Sequence, residues 1–409
     1  MRICLLTVIR IASIEDRNLY ADLARALVGA GHHVTIGSPV ERREGPVPNV
    51  VRADGYTIVS FRTLNTQKSA ALEKVASMLL IGRQAARALL PVLTPDGCDL
   101  LLYATPPVTF AHAVGAIKRQ TGARTLLMLK DIFPQNALDL GMLTRRNPLY
   151  AHFKRVERRL YQLSDHIGTM SEANRQYVLD HEDGIDATSV SVFPNTAERR
   201  ARSPVASAEA RSALRRRLGV EDDASLFVYG GNLGRPQGIG FLMEVLRELS
   251  DAPSLAVVIV GGGTEYERLA AFAKTEGGSG FRLLSNLPRA EYDELVACAD
   301  VGLIALDHRF TIPNYPSRLL SYLEAGKPVF CITDSATDVG RDAVAHGYGW
   351  SATSTSAREV ADQLIAVAQL PHRTLEAFGR RGRRHFEEHL SSERSVALVE
   401  EIYQSILDD

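Results

Sequence analysis

The sequence predicts an α/β protein with two Rossmann-like, doubly wound domains and a group of C-terminal helices. Strand-like and helix-like stretches alternate along all 409 residues, which is typical of parallel sheets covered by helices. The alternation lapses once, between Pro194 and Ser225, and then restarts. Each half is long enough to bury a core of its own.

The composition indicates an ordinary globular protein of a reducing compartment. Hydrophobic residues make up 45% of the chain and charged residues 23%, with a net charge of -1, so no global charge favours nucleic-acid binding. Four widely spaced cysteines form no CxxC pair, which disfavours a zinc cage or a disulfide framework. No apolar run approaches the about 18–20 residues of a membrane span. We therefore expect a cytoplasmic protein.

The first predicted domain covers residues 1–195. Runs of apolar residues bounded by turn formers predict strands, and apolar positions at helical spacing predict helices. The predicted strands are 2–9, 33–38, 57–61, 99–103, 124–129, 165–169 and 189–193, and the predicted helices are 16–29, 69–90, 108–120, 148–163 and 171–181. Residues 196–224 are polar, with one basic helical piece from Ala208 to Leu218. We interpret them as a linker.

The second predicted domain covers residues 225–380. Its predicted strands are 225–230, 255–260, 281–284, 301–306 and 328–332, with helices at 239–249, 289–299 and after the glycines that follow residue 260. Helices fill most of 356–408, and residues 381–409 are candidates to pack back on the first domain. Ligands of such domains bind at the carboxyl ends of the parallel strands.

The segment from Pro313 to Val329 predicts a loop and a short helix at one of these strand ends. Pro316 suits the first helical turn, where its missing N–H would have no intrahelical partner. Leucines follow at helical spacing, and Gly326 with Pro328 ends the helix. The amino end of this helix would therefore lie near the ligand edge of the sheet.

Three polar residues of this helix suggest its chemistry. Ser317 and Arg318 would lie at the positive helix terminus, where free N–H groups and the dipole stabilise an anion. Glu324 lies at the other end, where a carboxylate can accept hydrogen bonds from vicinal hydroxyls. A ligand with a phosphate and hydroxyls would suit this arrangement. Solvated side chains on an ordinary surface helix are the alternative.

A glycine-rich turn from Gly230 to Gly238 follows the first strand of the second domain. Its spacing fits neither the dinucleotide motif GxGxxG nor a P-loop, since no Gly-Lys-Ser/Thr follows. Glycines there would let backbone N–H groups approach a phosphate, although many such turns bind no ligand. A second turn, Gly261 to Gly263, follows the next strand. The candidate ligand contacts of the two turns are Gly231, Asn232, Gly234, Arg235, Gln237, Gly238 and Gly263.

Together these segments, with Pro194-Asn195 and Val260 to Glu265, resemble a family 4 glycosyltransferase of the GT-B fold. The resemblance is to bacterial enzymes that build surface polysaccharides, including N-acetylfucosamine-type transferases. It covers nearly the whole chain and is strongest in the second domain. It implies two Rossmann-like domains that face each other, a nucleotide-sugar donor, usually UDP-linked, retention of anomeric configuration, and no metal or other cofactor.

The resemblance assigns roles to the 313–329 segment. Glu324 corresponds to the second glutamate of the family's E-x7-E motif, which is expected to bind the ribose. The first glutamate falls on Pro316 and is therefore absent. Arg318 keeps the cation of the subgroup's Pro-Ser-Lys pattern and would stabilise the leaving diphosphate. The backbone N–H groups of Leu319 and Leu320 are expected at the same diphosphate, beside Pro316 and Ser317.

The phosphate turn departs from the wider family. Its Gly-Arg and Lys-Gly pairs read Gly231-Asn232 and Gln237-Gly238 here, so both cations are missing, although the subgroup's pattern is similar. The loop from Leu284 to Pro288 is expected to flank the base, with Leu284, Asn286 and Leu287 in contact with the nucleotide.

The first domain is expected to bind the acceptor. Lys130 to Gln135 follows strand 124–129 and resembles the subgroup's Asp-x-aromatic-Pro segment. Asp131 could orient an acceptor hydroxyl or steady positive charge on the sugar; the alternative is a helix N-cap. The predicted acceptor contacts are Lys130, Gln135, Asp16 and Asn18, of which Asp16 is equally a helix cap.

Two helical stretches raise the question of peripheral membrane contact. Residues 149–163 place Phe153, Val156, Leu160 and Leu163 on one face with lysine and arginine elsewhere, and 69–90 is apolar with a basic side. A basic amphipathic helix can lie on an anionic membrane, which would suit a lipid-linked acceptor at the inner face of the membrane. The alternative is a helix packed on its own sheet.

The expected function is sugar transfer from a UDP-N-acetyl-hexosamine or deoxy derivative to a saccharide acceptor in envelope polysaccharide synthesis. Two alternatives stay open. One is a non-hydrolysing UDP-amino-sugar 2-epimerase, which shares the two-domain fold. The other is a nucleotide-sugar-binding protein without catalysis, since the first glutamate and both turn cations are missing.

Overall fold

The computed structural model describes residues 1–65, 71–199, 207–250, 252–278, 280–353 and 355–408. The chain forms two compact units. The first contains Met1–Glu198 and Ser391–Asp409, and the second contains Arg199–Leu390. Each unit is built on its own sheet, so the α/β prediction with two doubly wound domains is confirmed.

The sheet of the first unit has eight strands in the order β3-β4-β2-β1-β5-β6-β7-β8. Its strands are β1 (Arg2–Leu6), β2 (His33–Glu41), β3 (Val50–Ala53), β4 (Tyr56–Thr63), β5 (Leu100–Ala104), β6 (Arg124–Leu129), β7 (His166–Thr169) and β8 (Val190–Val192). Every pairing is parallel except that of β3 with β4. All five residues of β5 are buried, as expected for a parallel strand covered on both faces.

In the part of the chain that the structure describes, six helices connect these strands. They are α1 (Leu19–Gly29), α2 (Ala71–Asp96), α3 (Ala111–Thr121), α4 (Gln135–Asp139), α5 (Pro148–Leu163) and α6 (Glu172–His181). Helix α5 buries Phe153 and Leu160 against its own unit. The apolar face of residues 149–163 therefore packs inside the protein, in agreement with the alternative to membrane contact given for that stretch.

The sheet of the second unit has six parallel strands in the order β11-β10-β9-β12-β13-β14. Its elements run α7 (Ala208–Leu218), β9 (Ser225–Gly230), α8 (Ile239–Glu248), β10 (Leu255–Val260), α9 (Tyr266–Thr275), β11 (Phe281–Leu284), α10 (Arg289–Cys298), β12 (Val301–Ala305), α11 (Arg318–Glu324), β13 (Val329–Ile332), α12 (Val339–Ala345), β14 (Gly349–Ala352), α13 (Ala357–Ala368) and α14 (His372–His389). The chain then returns to the first unit as α15 (Ser392–Asp408).

Helix α15 covers the sheet of the first unit beside α1. Its Val399, Ile402 and Ile406 are buried in the same apolar cluster as Leu23 and Leu27. The chain enters this helix next to the point where it leaves β8, since Ser392 N donates to Ala197 O at 3.0 Å. The first unit is therefore completed by the last helix of the chain.

Helix α7 lies within residues 196–224, the predicted linker, and packs in the second unit. Leu214 and Leu218 join the apolar cluster beneath β9 and β10. The buried Arg215 binds Asp300 at 2.7 Å, and the same carboxylate accepts from Leu226 N at 2.8 Å. Burying this pair requires good geometry and further hydrogen bonds, which Asp300 has. Linker residues 200–206 lie outside the described residues.

Several boundaries differ from the sequence prediction. Strand β1 ends at Leu6 rather than at residue 9, because Val8 and Ile9 are exposed in the following loop. Helix α1 begins at Leu19 rather than at residue 16, because Asn18 caps it. Strands β3 and β14 and helices α4 and α12 were not predicted. The predicted start of the helix at 69–70 lies outside the described residues.

Candidate functional site

The glycine-rich turns of the second unit cross at the carboxyl ends of β9 and β10. A Cβ atom on Gly261 would lie 1.8 Å from Gly231 O, and one on Gly263 would lie 2.3 Å from Leu233 O. The crossing is closed by backbone bonds, including Gly231 N to Val260 O at 3.0 Å. Both turns therefore need glycine for close backbone approach, independently of any ligand.

Arg318 places a cation beside this crossing. Its guanidinium carbon lies 4.2 Å from the centroid of the Tyr229 ring, and a Cβ atom on Gly231 would lie 3.7 Å from Arg318 Nη2. Arg318 Nη1 is buried and has no hydrogen-bond partner among the described residues. Stacking on an aromatic face holds a cation without neutralising it. The arrangement therefore suits an anionic ligand.

Tyr322 fixes the helix that carries Arg318. Its side chain is fully buried, and its hydroxyl accepts from Gly230 N at 3.0 Å while donating towards Val228 O at 2.9 Å. A Cβ atom on Gly302 would lie 2.3 Å from the Tyr322 ring. Helix α11 is thus bonded directly to the end of β9, and this holds Arg318 at the carboxyl edge of the sheet.

The predicted contacts of the 230–238 turn mostly bond to one another. Gln237 Oε1 accepts from Gly234 N at 3.1 Å and from Asn232 Nδ2 at 3.2 Å. Gly238 has φ 59° and is the N-cap residue of α8. Arg235 is exposed, and its side chain forms no ion pair within the described part of the chain. Asn232 and Gln237 therefore shape the turn, and their contact with a donor stays a prediction.

At the start of α11, two backbone N–H groups already have hydrogen-bond partners within the chain. Ser317 is exposed, whereas the side chains of Leu319 and Leu320 are buried. The N–H of Leu319 donates to Pro316 O at 3.2 Å and that of Leu320 to Ser317 O at 3.1 Å. A phosphate on either N–H would compete with this tight turn.

Glu324 lies at the end of α11 and is buried. The helix closes with Gly326 N bonded to Leu323 O at 3.0 Å and Lys327 N bonded to Tyr322 O at 2.8 Å, the arrangement of a Schellman motif. The Glu324 carbonyl accepts from Arg383 Nη1 on α14. Position 324 is therefore held by two helices.

The predicted base-flanking loop lies next to the second glycine turn. Gly261 N donates to Leu284 O at 3.2 Å, and a Cβ atom on Gly262 would lie 2.9 Å from Asn286 Nδ2. Leu287 is partly buried against the neighbouring core. The structure therefore brings Leu284, Asn286 and Leu287 to the edge that carries Gly231 and Gly263.

In the first unit, Lys130 and Asp131 follow β6 at the carboxyl edge of the sheet. Asn136 Nδ2 donates to Asp131 Oδ2 at 2.7 Å. Burial raises the pKa of the Asp131 carboxyl to about 6, although the Asn136 bond opposes that rise. Desolvation lowers the pKa of the Lys130 ammonium to about 7, and the nearest acceptor, Phe193 O, is 3.4 Å away. This edge therefore holds two groups that can titrate near neutral pH.

The other predicted acceptor residues have local structural contacts. Asn18 Oδ1 caps α1 through Tyr20 N and Ala21 N, at 3.1 and 3.0 Å. Asp16 Oδ2 accepts from Ala12 N at 2.7 Å, so Asn18 rather than Asp16 is the helix cap. Gln135 Nε2 donates to Asp139 Oδ1 at 2.7 Å. Their roles towards an acceptor stay predictions.

Comparison with known proteins matches each unit to a protein family. The family described as Glycosyl transferases group 1 matches residues 210–385, and that described as Glycosyl transferase 4-like domain matches residues 19–196. The chain belongs to the glycosyltransferases. This glycosyltransferase is 27% identical over 248 residues to a putative colanic acid biosynthesis glycosyl transferase, WcaI of Escherichia coli. That match spans 59% of each chain, less than two thirds of the relative.

Solved structures show that the glycosyltransferase has the GT-B fold. Sucrose-phosphate synthase from Thermosynechococcus elongatus superposes with a TM-score of 0.78 at 13% identity, over all of both chains. Anabaena Alr3699/HepE, solved in complex with UDP, gives 0.65 at 14% identity over 99% of this chain and 100% of the other.

Sequence reasoning missed Tyr229 and Tyr322, the aromatic residues around Arg318 in this glycosyltransferase. Both lie in apolar stretches that read as core, and both are fully buried. Their contacts with Arg318 and Gly230 join segments far apart in the chain, so no local pattern marks them. Within the described ranges, no group of three or more His, Cys, Asp or Glu residues could hold a metal ion, and no helix is long and apolar enough to cross a membrane.

Proposed function

We propose that the protein transfers a sugar from a UDP-linked donor to a saccharide acceptor, with retention of anomeric configuration. The observation that carries this proposal is Arg318, a cation stacked on Tyr229 at the carboxyl edge of the second sheet, with a buried guanidinium nitrogen that has no hydrogen-bond partner among the described residues. A diphosphate would satisfy that nitrogen by a charge-assisted hydrogen bond. The UDP complex of the structural relative HepE supports UDP as the nucleotide.

In the proposed reaction, a bond forms between the acceptor oxygen and the anomeric carbon while the bond from that carbon to the diphosphate oxygen breaks. Its electron pair leaves with the diphosphate, where Arg318 stabilises the developing charge. The acceptor proton passes to a β-phosphate oxygen on the same face of the sugar, which gives retention. This step does not require a covalent nucleophile or a metal ion from the residues that the structure describes.

We assign donor binding to the second unit and acceptor binding to the first. Glu324 would accept hydrogen bonds from the ribose hydroxyls, and Leu284 to Pro288 would flank the base. Asp131 is the candidate to orient the acceptor hydroxyl by accepting a hydrogen bond from it, because its raised pKa of about 6 makes the carboxylate a stronger hydrogen-bond acceptor than that of an ordinary aspartate. The colanic acid relative supports a role in polysaccharide synthesis. The donor we propose is a UDP-N-acetyl-hexosamine or deoxy derivative, and the acceptor we propose is a lipid-linked saccharide.

Donor binding and turnover test this function together. We expect UDP to bind more tightly than UMP in calorimetry, because only UDP has the β-phosphate that Arg318 would hold. A panel of UDP-, GDP- and dTDP-sugars should show slow hydrolysis of one UDP-sugar, unchanged by a chelator. Equal binding of UDP and UMP would contradict the phosphate assignment. Formation of the C2 epimer from UDP-N-acetylglucosamine alone would instead identify an epimerase.

A further inference from the structure

The loop in front of α11 is anchored on the side away from β9. Tyr322 ties α11 itself to the end of β9. The preceding loop instead meets residues 333–338, which join β13 to α12, and β12 separates β9 from β13 in the sheet. Asn314 N donates to Thr337 Oγ1 at 3.1 Å across this contact. Arg318, at the start of α11, therefore has a support on each side.

The Thr337 hydroxyl is the centre of a buried hydrogen-bond relay. Its Oγ1 accepts from Asn314 N and donates to Asp334 Oδ2 at 2.9 Å, while Asp334 Oδ1 accepts from Thr337 N at 2.8 Å. Thr337 is 2% exposed and Asp334 is 3% exposed, so water has little access to these bonds. A hydroxyl that donates to a carboxylate is also a stronger acceptor. Because a backbone N–H without a partner is costly in such surroundings, the relay favours one position of the Asn314 backbone.

Tyr315 anchors the same loop through its side chain. The ring is buried, and the hydroxyl donates to Asp342 Oδ2 on α12 at 3.1 Å. The ring of the next residue, Pro316, restricts its φ torsion, and Leu319 N donates to Pro316 O at 3.2 Å. Few backbone torsions are therefore free between these anchors and Arg318.

The position of the Arg318 guanidinium depends on this short stretch of backbone. Stacking on the Tyr229 ring, 4.2 Å from the guanidinium carbon, holds the plane of the cation but does not set how far it reaches. A cation stabilises a leaving group only where its N–H groups point at the charge that develops. A misplacement of about 1 Å can cost a large factor in rate. The anchors of the loop are therefore placed to affect the chemistry without contacting the ligand.

We propose that Thr337 and Tyr315 are positioning residues that set the place of Arg318 at the donor diphosphate. The inference deepens the proposed function and rests on it. Both residues act through the backbone of residues 314–318, and neither contacts the substrate. The bonds of Asp334 also shape the turn before α12, and a purely structural role there would leave the affinity for the β-phosphate unchanged.

Calorimetry with UDP and UMP tests the proposal. Thr337→Val keeps nearly the same side-chain shape but cannot accept from Asn314 N. We expect its affinity for UDP to fall about two- to tenfold. Its affinity for UMP should stay unchanged, because UMP lacks the β-phosphate that Arg318 would hold. Thr337→Ser restores the hydroxyl and should bind UDP like the wild type.

A double-mutant cycle with Arg318→Ala separates positioning from a general structural effect. If Thr337 acts through Arg318, Thr337→Val should have little further effect on UDP affinity in the Arg318→Ala background. Tyr315→Phe removes only a hydroxyl and should weaken UDP binding in the same way, again only while Arg318 is present. If Thr337→Val fails to fold, the cycle with Tyr315→Phe decides.

Ser225→Ala is the matched control. It removes another side-chain hydrogen bond of the second unit, from Ser225 Oγ to Ala368 O at 2.8 Å, but at the amino end of β9, and it should bind UDP like the wild type. Equal losses of UDP and UMP affinity in Thr337→Val, or losses that add to that of Arg318→Ala, would overturn the proposal. UDP binding by Tyr315→Phe that equals that of the control would overturn it as well. A wild type that does not prefer UDP to UMP would refute the donor assignment and this inference with it, so the two failures are distinguishable.

Discussion

Arg318→Ala removes the cation beside Gly231 and leaves the rest of the second sheet in place. Arg318 is half-buried, and its contacts are the Tyr229 ring and the approach to Gly231. No carboxylate among the described residues loses an ion-pair partner in this variant. Tyr322 and the closing bonds of α11 do not involve the Arg318 side chain. We therefore expect the variant to fold and to lose function rather than stability.

The size of the loss follows from the hydrogen bond that Arg318 would make to the leaving diphosphate. A hydrogen bond to a charged group contributes about 1.5–3 kcal/mol, and each 1.36 kcal/mol of barrier corresponds to about tenfold in rate. Turnover should therefore fall about 10- to 150-fold. Because the interaction strengthens as charge develops, kcat and kcat/KM should fall together. Arg318→Lys keeps the charge but loses the planar stack, so its activity should be intermediate.

The measurement is steady-state transfer or donor hydrolysis with the UDP-sugar that the panel identifies, accompanied by calorimetry with UDP. Arg373→Ala, at an exposed position of α14, is the matched control and should behave like the wild type. If Arg318→Ala binds UDP and turns over like that control, the leaving-group role of Arg318 is refuted. A loss of folding in Arg318→Ala would show that Arg318 stabilises the second unit and would refute the expectation above.

Three further predictions concern Tyr229, Asp131 and Gly379. Tyr229→Phe keeps the ring beneath Arg318 and should retain activity. Tyr229→Leu removes a cation–π contact of about 0.5–2 kcal/mol and should raise the donor KM by about two- to thirtyfold. Equal donor KM values for the two variants would contradict a positioning role of the Tyr229 ring. The folded-state pKa of Asp131, about 6, lies above the unfolded value of about 3.9, so the folded state binds the proton more tightly and stability is lost as pH rises from about 4 to about 6. Asp131→Asn should therefore raise the thermal midpoint at about pH 7 and not below about pH 4. The gain in the free energy of unfolding should be at most about 3 kcal/mol, because Asp131 keeps some solvent contact. A gain of equal size at both pH values would contradict burial as the cause of the raised pKa. In Gly379→Ala, the new Cβ would lie 1.9 Å from Gly326 O, and this clash should lower the free energy of unfolding by about 1–3 kcal/mol. Gly29→Ala is the control, because its Cβ would have no atom within 4 Å, and it should not lower the free energy of unfolding. Equal urea midpoints for the two variants would show that α14 can move away from Gly326 without cost.

The central strands were the most predictable part of the fold. Strands β9 and β10, in the interior of the second sheet, begin and end at the residues that the sequence predicted, because buried parallel strands need continuous apolar runs and the turns after these two strands need glycine. Strand β3 escaped prediction because all four of its residues are exposed at the sheet edge, where burial imposes no pattern. Strand β14 is too short, and too rich in small residues, to stand out.

The candidate site was predictable where one residue type carries the chemistry. Arg318 and Asp131 follow strand ends, and the structure places both at the expected edges. What the sequence could not show is the partner of each group: the Tyr229 ring under Arg318, or the Asn136 amide on Asp131. Gln237 is a different case, since its side chain, predicted as a ligand contact, accepts from Gly234 N within the turn, and its contact with a donor stays a prediction. Side chains that bond locally and side chains that bond ligands use the same atoms, so spacing alone does not distinguish them.

The return of α15 to the first unit makes the second unit an insertion within the first. The chain leaves the first unit at Glu198 and re-enters it at Ser391, and the exit and entry points are hydrogen-bonded neighbours, since Thr196 Oγ1 lies 2.7 Å from Ser395 Oγ. During synthesis, the second unit therefore emerges whole before the first can bury Leu23 and Leu27 beneath its last helix. Domains generally fold as units, in the order of synthesis. Here the unit that begins first is the one that finishes last.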